Sequence, residues 1–284
     1  MRSNLRTRVA TALVLAAVLV GTLATGSTAL WAALVSCFCA AAAWEFLRLS
    51  VGATAAQKGT SVTVFVALVT IFCIEIFASG ATGLLGTFPL TTIQIILPLA
   101  ALFWLIVVPF QLSRRSIAVA SWLGVFTVPV IIGGAWLSAV LLHRAGTGFL
   151  VAVVVLTVVA DVAAYFVGRK LGRVKLAPAI SPGKTREGAF GGIAAAALWT
   201  ALISVFLGLT SGVFSVAAAA VAGAFLGACA VMGDLWESQL KRQAGVKDSS
   251  QLLPGHGGVL DRIDAHLAVL PLATLILSWV KPLW

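Results

Sequence analysis

Nine apolar windows of membrane length dominate the chain, near residues 9–25, 28–47, 60–79, 91–112, 117–142, 148–167, 190–209, 211–233 and 263–280. Each approaches the roughly 20 residues needed to cross a bilayer. Little chain remains between them for a soluble core. Of the 284 residues 61% are hydrophobic and 10% charged, with a mean hydropathy of +1.09. An ordinary soluble domain carries about 25% charged residues, and disorder requires low hydrophobicity. Both are excluded. In lipid every backbone polar group must be satisfied within its own segment, so the expected fold class is all-α. The chain reads as a polytopic integral membrane protein of about nine transmembrane helices. Pro129 and Gly133-Gly134 predict a kinked or tilted fifth span. The first window follows Arg2, Arg6 and Arg8 and is long for a signal peptide, so it reads as an uncleaved span.

Basic residues orient the bundle. Of the 19 Lys and Arg residues, only Arg144 and Lys281 fall on the side opposite the amino terminus. The expected topology therefore has a cytoplasmic N-terminus and an outside C-terminus. Residues 1–145 form the N-terminal spans one to five. Residues 146–284 are expected to form a second region of spans six to nine, with cytoplasmic loops at 168–189 and 237–262. Trp31, Trp122, Trp236, Trp279 and Trp284 fall near span ends and are expected as interfacial anchors. Gly223 and Gly227 make a small-xxx-small face, for helix contact within the bundle or for the seam of a homodimer. Cys37, Cys39, Cys73 and Cys229 lie in apolar runs and read as packed small hydrophobes.

The net charge of +10 has no soluble surface on which to hold a nucleic acid, so no nucleic-acid partner is expected. Membrane lipids of the anionic leaflet and an anionic substrate fit it better. The nine acids are more informative. Glu45 and Glu75 precede residue 160; Asp161, Glu187, Asp234, Glu237, Asp248, Asp261 and Asp264 follow it. In this topology Asp161, Asp234, Asp261 and Asp264, from three separate segments, approach the cytoplasmic interface. Carboxylates near hydrocarbon need a partner, and a hard divalent cation bridging helices supplies one. Asp234, Asp261 and Asp264 are the candidate metal ligands. Glu187, Glu237 and Asp248 read as charge balance, and Glu45 as an ion pair with Arg48 one turn on.

Two loops read as a phosphate site. Residues 168–192 carry six cations, with Ser181, Lys184 and Arg186 as hydroxyl, ammonium and guanidinium donors and Gly188 for close backbone approach. They lead into the amino terminus of span seven, which adds positive potential. The Walker pattern is absent, and no strand is expected before Gly183-Lys184-Thr185. Residues 237–264 pass from Lys241 and Arg242 through Pro254-Gly255-His256-Gly257-Gly258 to Asp261-Arg262-Ile263-Asp264. His256, flanked by glycines, suits phosphate contact or support of a metal site. His143 and His266 read as ordinary span-end residues.

The second loop resembles the signature of phosphatidate cytidylyltransferases, S-x-x-K-R-x4-K-D followed by H-G-G-x-x-D-R-x-D. It stands here as Ser238, Lys241, Arg242, Lys247, Asp248, His256, Gly257, Gly258, Asp261, Arg262 and Asp264. Asp161 through Arg169, and Ser181 through Gly188, are similar to a second stretch of that family. Val162 and Ala163 depart from the small polar residue and Gly common there, and Arg186 replaces an aromatic. The resemblance implies transfer of CMP from CTP to phosphatidate in a bacterial cytoplasmic membrane, with the active site facing the cytoplasm. It implies Mg2+ on Asp234, Asp261 and Asp264, with room for a second cation such as K+ or another divalent ion. It also implies Lys184 and Arg186 on the triphosphate with Ser181 in support, further phosphate contacts from Lys241, Arg242 and Arg262, and Asp161 orienting a cation or the loop lysines. A CTP-dependent polyprenol kinase and an ion-coupled transporter are the competing readings.

Overall fold

The computed structural model describes residues 4–50, 90–114, 121–210 and 212–283. It contains helices α1 (Asn4–Ala24), α2 (Thr28–Ser50), α3 (Leu90–Leu102), α4 (Val108–Arg114), α5 (Ser121–Ala145), α6 (Thr147–Leu171), α7 (Arg186–Phe206), α8 (Val213–Gln243) and α9 (Leu260–Ser278). A π-helical stretch, Phe103–Val107, joins α3 to α4. The fold is helical, as the apolar windows require. Among the described residues, seven helices are long and apolar enough to cross a membrane. Helix α9 has the length too, but its first turns carry Asp261, Arg262 and Asp264. The window at 60–79 lies outside the described residues.

The backbone irregularity falls in the fourth window. Helix α5 runs without a break through Pro129. The π turn, where the Val108 amide bonds to the carbonyl of Phe103, sits directly before Pro109. Proline has no amide proton and its ring crowds the preceding turn, which favours the wider loop.

Helices α6, α7 and α8 pack through missing side chains. A Cβ on Gly192 would lie 2.6 Å from the Ala160 carbonyl, and one on Gly223 would lie 2.6 Å from that of Ala196. Gly227 likewise meets Ala196 and Ile193. The small-xxx-small face is thus occupied by α7 within the chain, and is not free to be a dimer seam.

One core crosses the boundary at residue 145. It takes buried residues from α2, α3, α5, α6, α8 and α9. Its aromatic centre stacks Phe46 on Trp236 at 5.6 Å, with Trp104 edge-on to Trp236 at 5.5 Å. Two of the expected interfacial anchors are therefore core residues. Trp236 donates to Gln111 Oε1 (2.7 Å), and Trp31 donates to the Ala139 carbonyl (3.0 Å) and stacks on His143. Trp279 is exposed, and the side chains of Trp122 and Trp284 lie outside the described residues. Cys39 and Cys229 are buried, Cys37 is exposed, and Cys73 lies outside the described residues.

The all-α expectation holds, with one local addition. Strands β1 (Lys175–Ala177) and β2 (Ser181–Thr185) form an antiparallel hairpin, pairing Lys175 with Thr185 and Ala177 with Ser181. Pro178 and Pro182 oppose helix here, and the Ile180 amide closes the turn on the Ala177 carbonyl at 3.1 Å. A strand therefore does precede Gly183-Lys184-Thr185. Position 178, where the Walker pattern needs its first glycine, is Pro.

Candidate active site

The hairpin fixes the start of α7. Thr185 Oγ1 accepts from the Gly188 amide (3.1 Å), capping the helix. Glu187 accepts from the amides of Arg173 (3.1 Å) and Val174 (3.2 Å). Gly188 was expected to let backbone approach an anion. It lets α7 approach α6, since a Cβ there would lie 2.7 Å from the Ala164 carbonyl, and it lines the adjoining cavity. Arg242 donates to the carbonyls of Ile180 (3.3 Å) and Val246 (3.1 Å), tying the hairpin to the end of α8.

A cavity of about 760 Å³ opens where the hairpin and the ends of α6, α8 and α9 meet. Asp161, Lys184, Asp234, Lys241, Asp261, Arg262 and Asp264 line it. These seven of the sequence-derived residues are brought together from four separate elements, α6, β2, α8 and α9. Ser181, Arg186, Arg242 and His256 are not among its lining residues. Ser181 opens β2, and Arg186 opens α7 with its amide bonded to the Val174 carbonyl at 2.8 Å. His256 anchors the glycine loop through its backbone: its amide bonds to the Leu253 carbonyl, and its carbonyl accepts from Arg262 Nη2 at 2.8 Å.

The ionic contacts alternate in sign. Lys184 Nζ pairs with Asp234 Oδ2, and Asp234 Oδ1 accepts from Ser238 at 3.2 Å. Lys241 Nζ lies 2.5 Å from Asp261 Oδ1 and 2.6 Å from Glu237 Oε2. Glu237, read from sequence as charge balance, is buried beneath that lysine. Asp261 has both oxygens engaged, since Oδ2 accepts from the Ser249 amide (2.9 Å), the Ser249 hydroxyl (2.9 Å) and the Gly258 amide (2.8 Å). Asp264 accepts from the Ala265 amide through Oδ1 (2.7 Å). Its other oxygen carries no hydrogen bond among the described residues.

The expected trio does not stand as a preformed metal cluster. Among the described residues no three His, Cys, Asp or Glu groups are placed to hold a metal. Lys184 and Lys241 neutralise Asp234 and Asp261 in the way a bound cation would. The donor set still fits a hard ion: Asp234 and Asp264 present carboxylate oxygens to one cavity, and Asp161 faces it from α6.

Three contributors escaped the sequence reading. Glu45 does not pair with Arg48. It is fully buried and accepts from the Ser249 hydroxyl (2.9 Å), the Ser250 hydroxyl, and the amides of Val259 (3.0 Å) and Leu260 (2.6 Å). Arg48 donates to the Ser249 carbonyl and lies over Trp44. Thr157 and His266, bonded at 2.8 Å, line the cavity. His266 is a wall of the site, not a residue at a span end; its spacing two residues beyond Asp264 was the available signal.

Comparison with known proteins finds several bacterial relatives. Over 165 residues the chain is 41% identical to a phosphatidate cytidylyltransferase of Pseudomonas aeruginosa, covering 52% of this chain and 56% of that protein. It is 46% identical over 127 residues to one from Haemophilus influenzae, 44% of each chain, and 49% identical over 115 residues to one from Brucella suis, 40% of this chain and 41% of that one. The chain thus spans about half the length of the curated relatives it matches. The sequence model described as the cytidylyltransferase family matches residues 6–280, nearly the whole chain with every helix and both loops around the cavity. With the match running from the first helix through the last, the chain belongs to the cytidylyltransferase family.

Proposed function

We propose that the chain transfers CMP from CTP to phosphatidate, giving CDP-diacylglycerol and pyrophosphate for phospholipid synthesis. The supporting observation is the cavity itself, where a lysine of the hairpin and a lysine near the end of α8 meet aspartates from three helices at one end of an apolar bundle. One substrate is a soluble polyanion and the other an anionic lipid, so the site must be cationic and lie at an interface.

A phosphate oxygen of the lipid attacks the α-phosphorus of CTP. The bond from that phosphorus to the α,β-bridging oxygen breaks, and pyrophosphate leaves with the electron pair. No protein nucleophile is required, so positioning and charge neutralisation carry the rate. Lys184, released from Asp234, contacts the triphosphate. Arg262, exposed at the cavity, contacts phosphate, and Lys241 maintains positive potential while holding Asp261. Asp234 and Asp264 would hold Mg2+, which would supply neutralisation of phosphate charge, and Asp261 fixes the loop beside them. Asp161 orients the cationic groups from α6. Ser181, Arg186, Arg242 and His256 act by holding the hairpin and the glycine loop.

The topology expected from charge belongs to this proposal: nine spans, a cytoplasmic amino terminus, an outside carboxyl terminus, and the cavity facing the cytoplasm of a bacterium. The test supplies purified chain with CTP, Mg2+ and either phosphatidate or a polyprenol, with products identified by mass. CDP-diacylglycerol formed only with phosphatidate is expected. Polyprenyl phosphate would favour the lipid-kinase reading, and flux of an ion-coupled substrate into sealed vesicles without CTP consumption would favour a transporter.

A further inference from the structure

A buried carboxylate from the amino-terminal half grips the loop that carries Asp261. Glu45 stands near the end of α2, more than 200 residues from its partners, and is 0% exposed. A carboxylate in such a place persists only when its oxygens are satisfied. Oε1 accepts from the Ser250 hydroxyl and the Val259 amide, and Oε2 from the Ser249 hydroxyl and the Leu260 amide. Val259 and Leu260 open α9. The first amides of a helix lack intrahelical partners and favour an anion, so Glu45 supplies from another helix the cap that α9 lacks locally.

The same contacts reach the cavity. The Ser249 hydroxyl lies 2.9 Å from both Glu45 Oε2 and Asp261 Oδ2. Asp261 then reaches Lys241, and Lys241 reaches Glu237. Gly258 closes the arrangement, since a Cβ there would overlap the Ser249 hydroxyl and lie 2.6 Å from each Glu45 oxygen. Arg48 adds a second grip from α2 by donating to the Ser249 carbonyl.

We propose that Glu45 is a positioning residue: from α2 it holds Ser249 and the first turn of α9, and so fixes Asp261 and Asp264 at the cavity. This rests on the cytidylyltransferase reading above. Spans outside the catalytic segment thereby act on the site without touching substrate. Glutamine at 45 would turn one oxygen, which receives two donors, into a donor itself. Ser249→Ala would remove the hydroxyl that bridges Glu45 and Asp261 while leaving the Ser249 amide on Asp261 and the helix cap in place.

The test compares wild type, Glu45→Gln, Ser249→Ala and the double variant by hydrogen exchange and by Mg2+ titration of activity. Exchange over residues 249–261 should quicken in Glu45→Gln while residues 173–186 stay as in wild type. The Mg2+ needed for half-maximal activity should rise about tenfold or more, the scale for losing a group that orients metal ligands. The double variant should need no more Mg2+ than Glu45→Gln, since both break one chain of contacts. Wild-type exchange over 249–261 in Glu45→Gln overturns the proposal, as does an unchanged Mg2+ requirement. If Glu45→Gln does not fold, Ser249→Ala decides: an unchanged Mg2+ requirement in that variant overturns the proposal. A wild type that transfers no CMP would sink the functional reading, while the exchange comparison would still decide the role of Glu45.

Discussion

Replacing Lys184 with alanine separates what its ion pair contributes to the fold from what it contributes to the site. The ammonium sits on Asp234, with side-chain exposures of 24% and 30% for the two residues. A pair that wet is screened and contributes at most about 1 kcal/mol to stability. The variant should therefore insert and unfold much as wild type does. Its effect on CTP should be larger. A charge-assisted hydrogen bond contributes about 1.5–3 kcal/mol, and each 1.4 kcal/mol is about tenfold in rate or affinity. The expected loss in kcat/KM for CTP is roughly 10- to 150-fold. Lys184→Arg should recover part of it, because charge is restored on a bulkier, planar group. The assay is steady-state CMP transfer in mixed micelles at fixed phosphatidate, with thermal unfolding measured on the same preparations. A folded Lys184→Ala variant within about twofold of wild type would remove Lys184 from the triphosphate and refute the reasoning.

Asp264→Asn and Asp234→Asn should each abolish most turnover, and the double variant should lose little more, because a site missing one charged ligand is already broken; additive losses in single-turnover assays would argue against a shared cation. Gly223→Leu should destabilise the bundle by about 1–3 kcal/mol through overpacking against Ala196, whereas Gly21→Leu, with open space around its Cβ position, should leave the unfolding temperature unchanged. Single cysteines at 170 and 247, in a background without native cysteines, should label only from the cytoplasmic side, and one at 284 only from outside; labelling of 284 from the cytoplasm would overturn the nine-span topology.

The helices were legible because lipid leaves the backbone few choices, and apolar length alone marks a span. The windows at 148–167 and 190–209 correspond to α6 and α7 within a few residues. Convergence of acids and lysines was legible too, since charges within apolar sequence must gather. Which charge meets which was not. Glu45 and Arg48 are one turn apart, the spacing of a helical pair, yet burial sent the carboxylate to the first amides of α9 and the guanidinium to Ser249. Those partners lie too far along the chain for any local pattern to reveal. The hairpin escaped because its strands are short and bear Pro182. Trp31 and Trp236 escaped because depth along a helix says nothing of which face meets the core. The aspartate trio was read as one ligand set, but Asp261 is occupied by Lys241, Ser249 and Gly258.

The most direct test follows the phosphorus. Purified full chain is given phosphatidate, Mg2+ and CTP labelled at either the α- or the γ-phosphorus, and the organic and aqueous phases are counted. The account predicts α-label in the lipid, γ-label wholly in pyrophosphate, and one pyrophosphate released for each lipid product, with the transfer lost in Asp264→Asn. Label from the γ-phosphorus in the lipid, with CDP left in the aqueous phase, would contradict it.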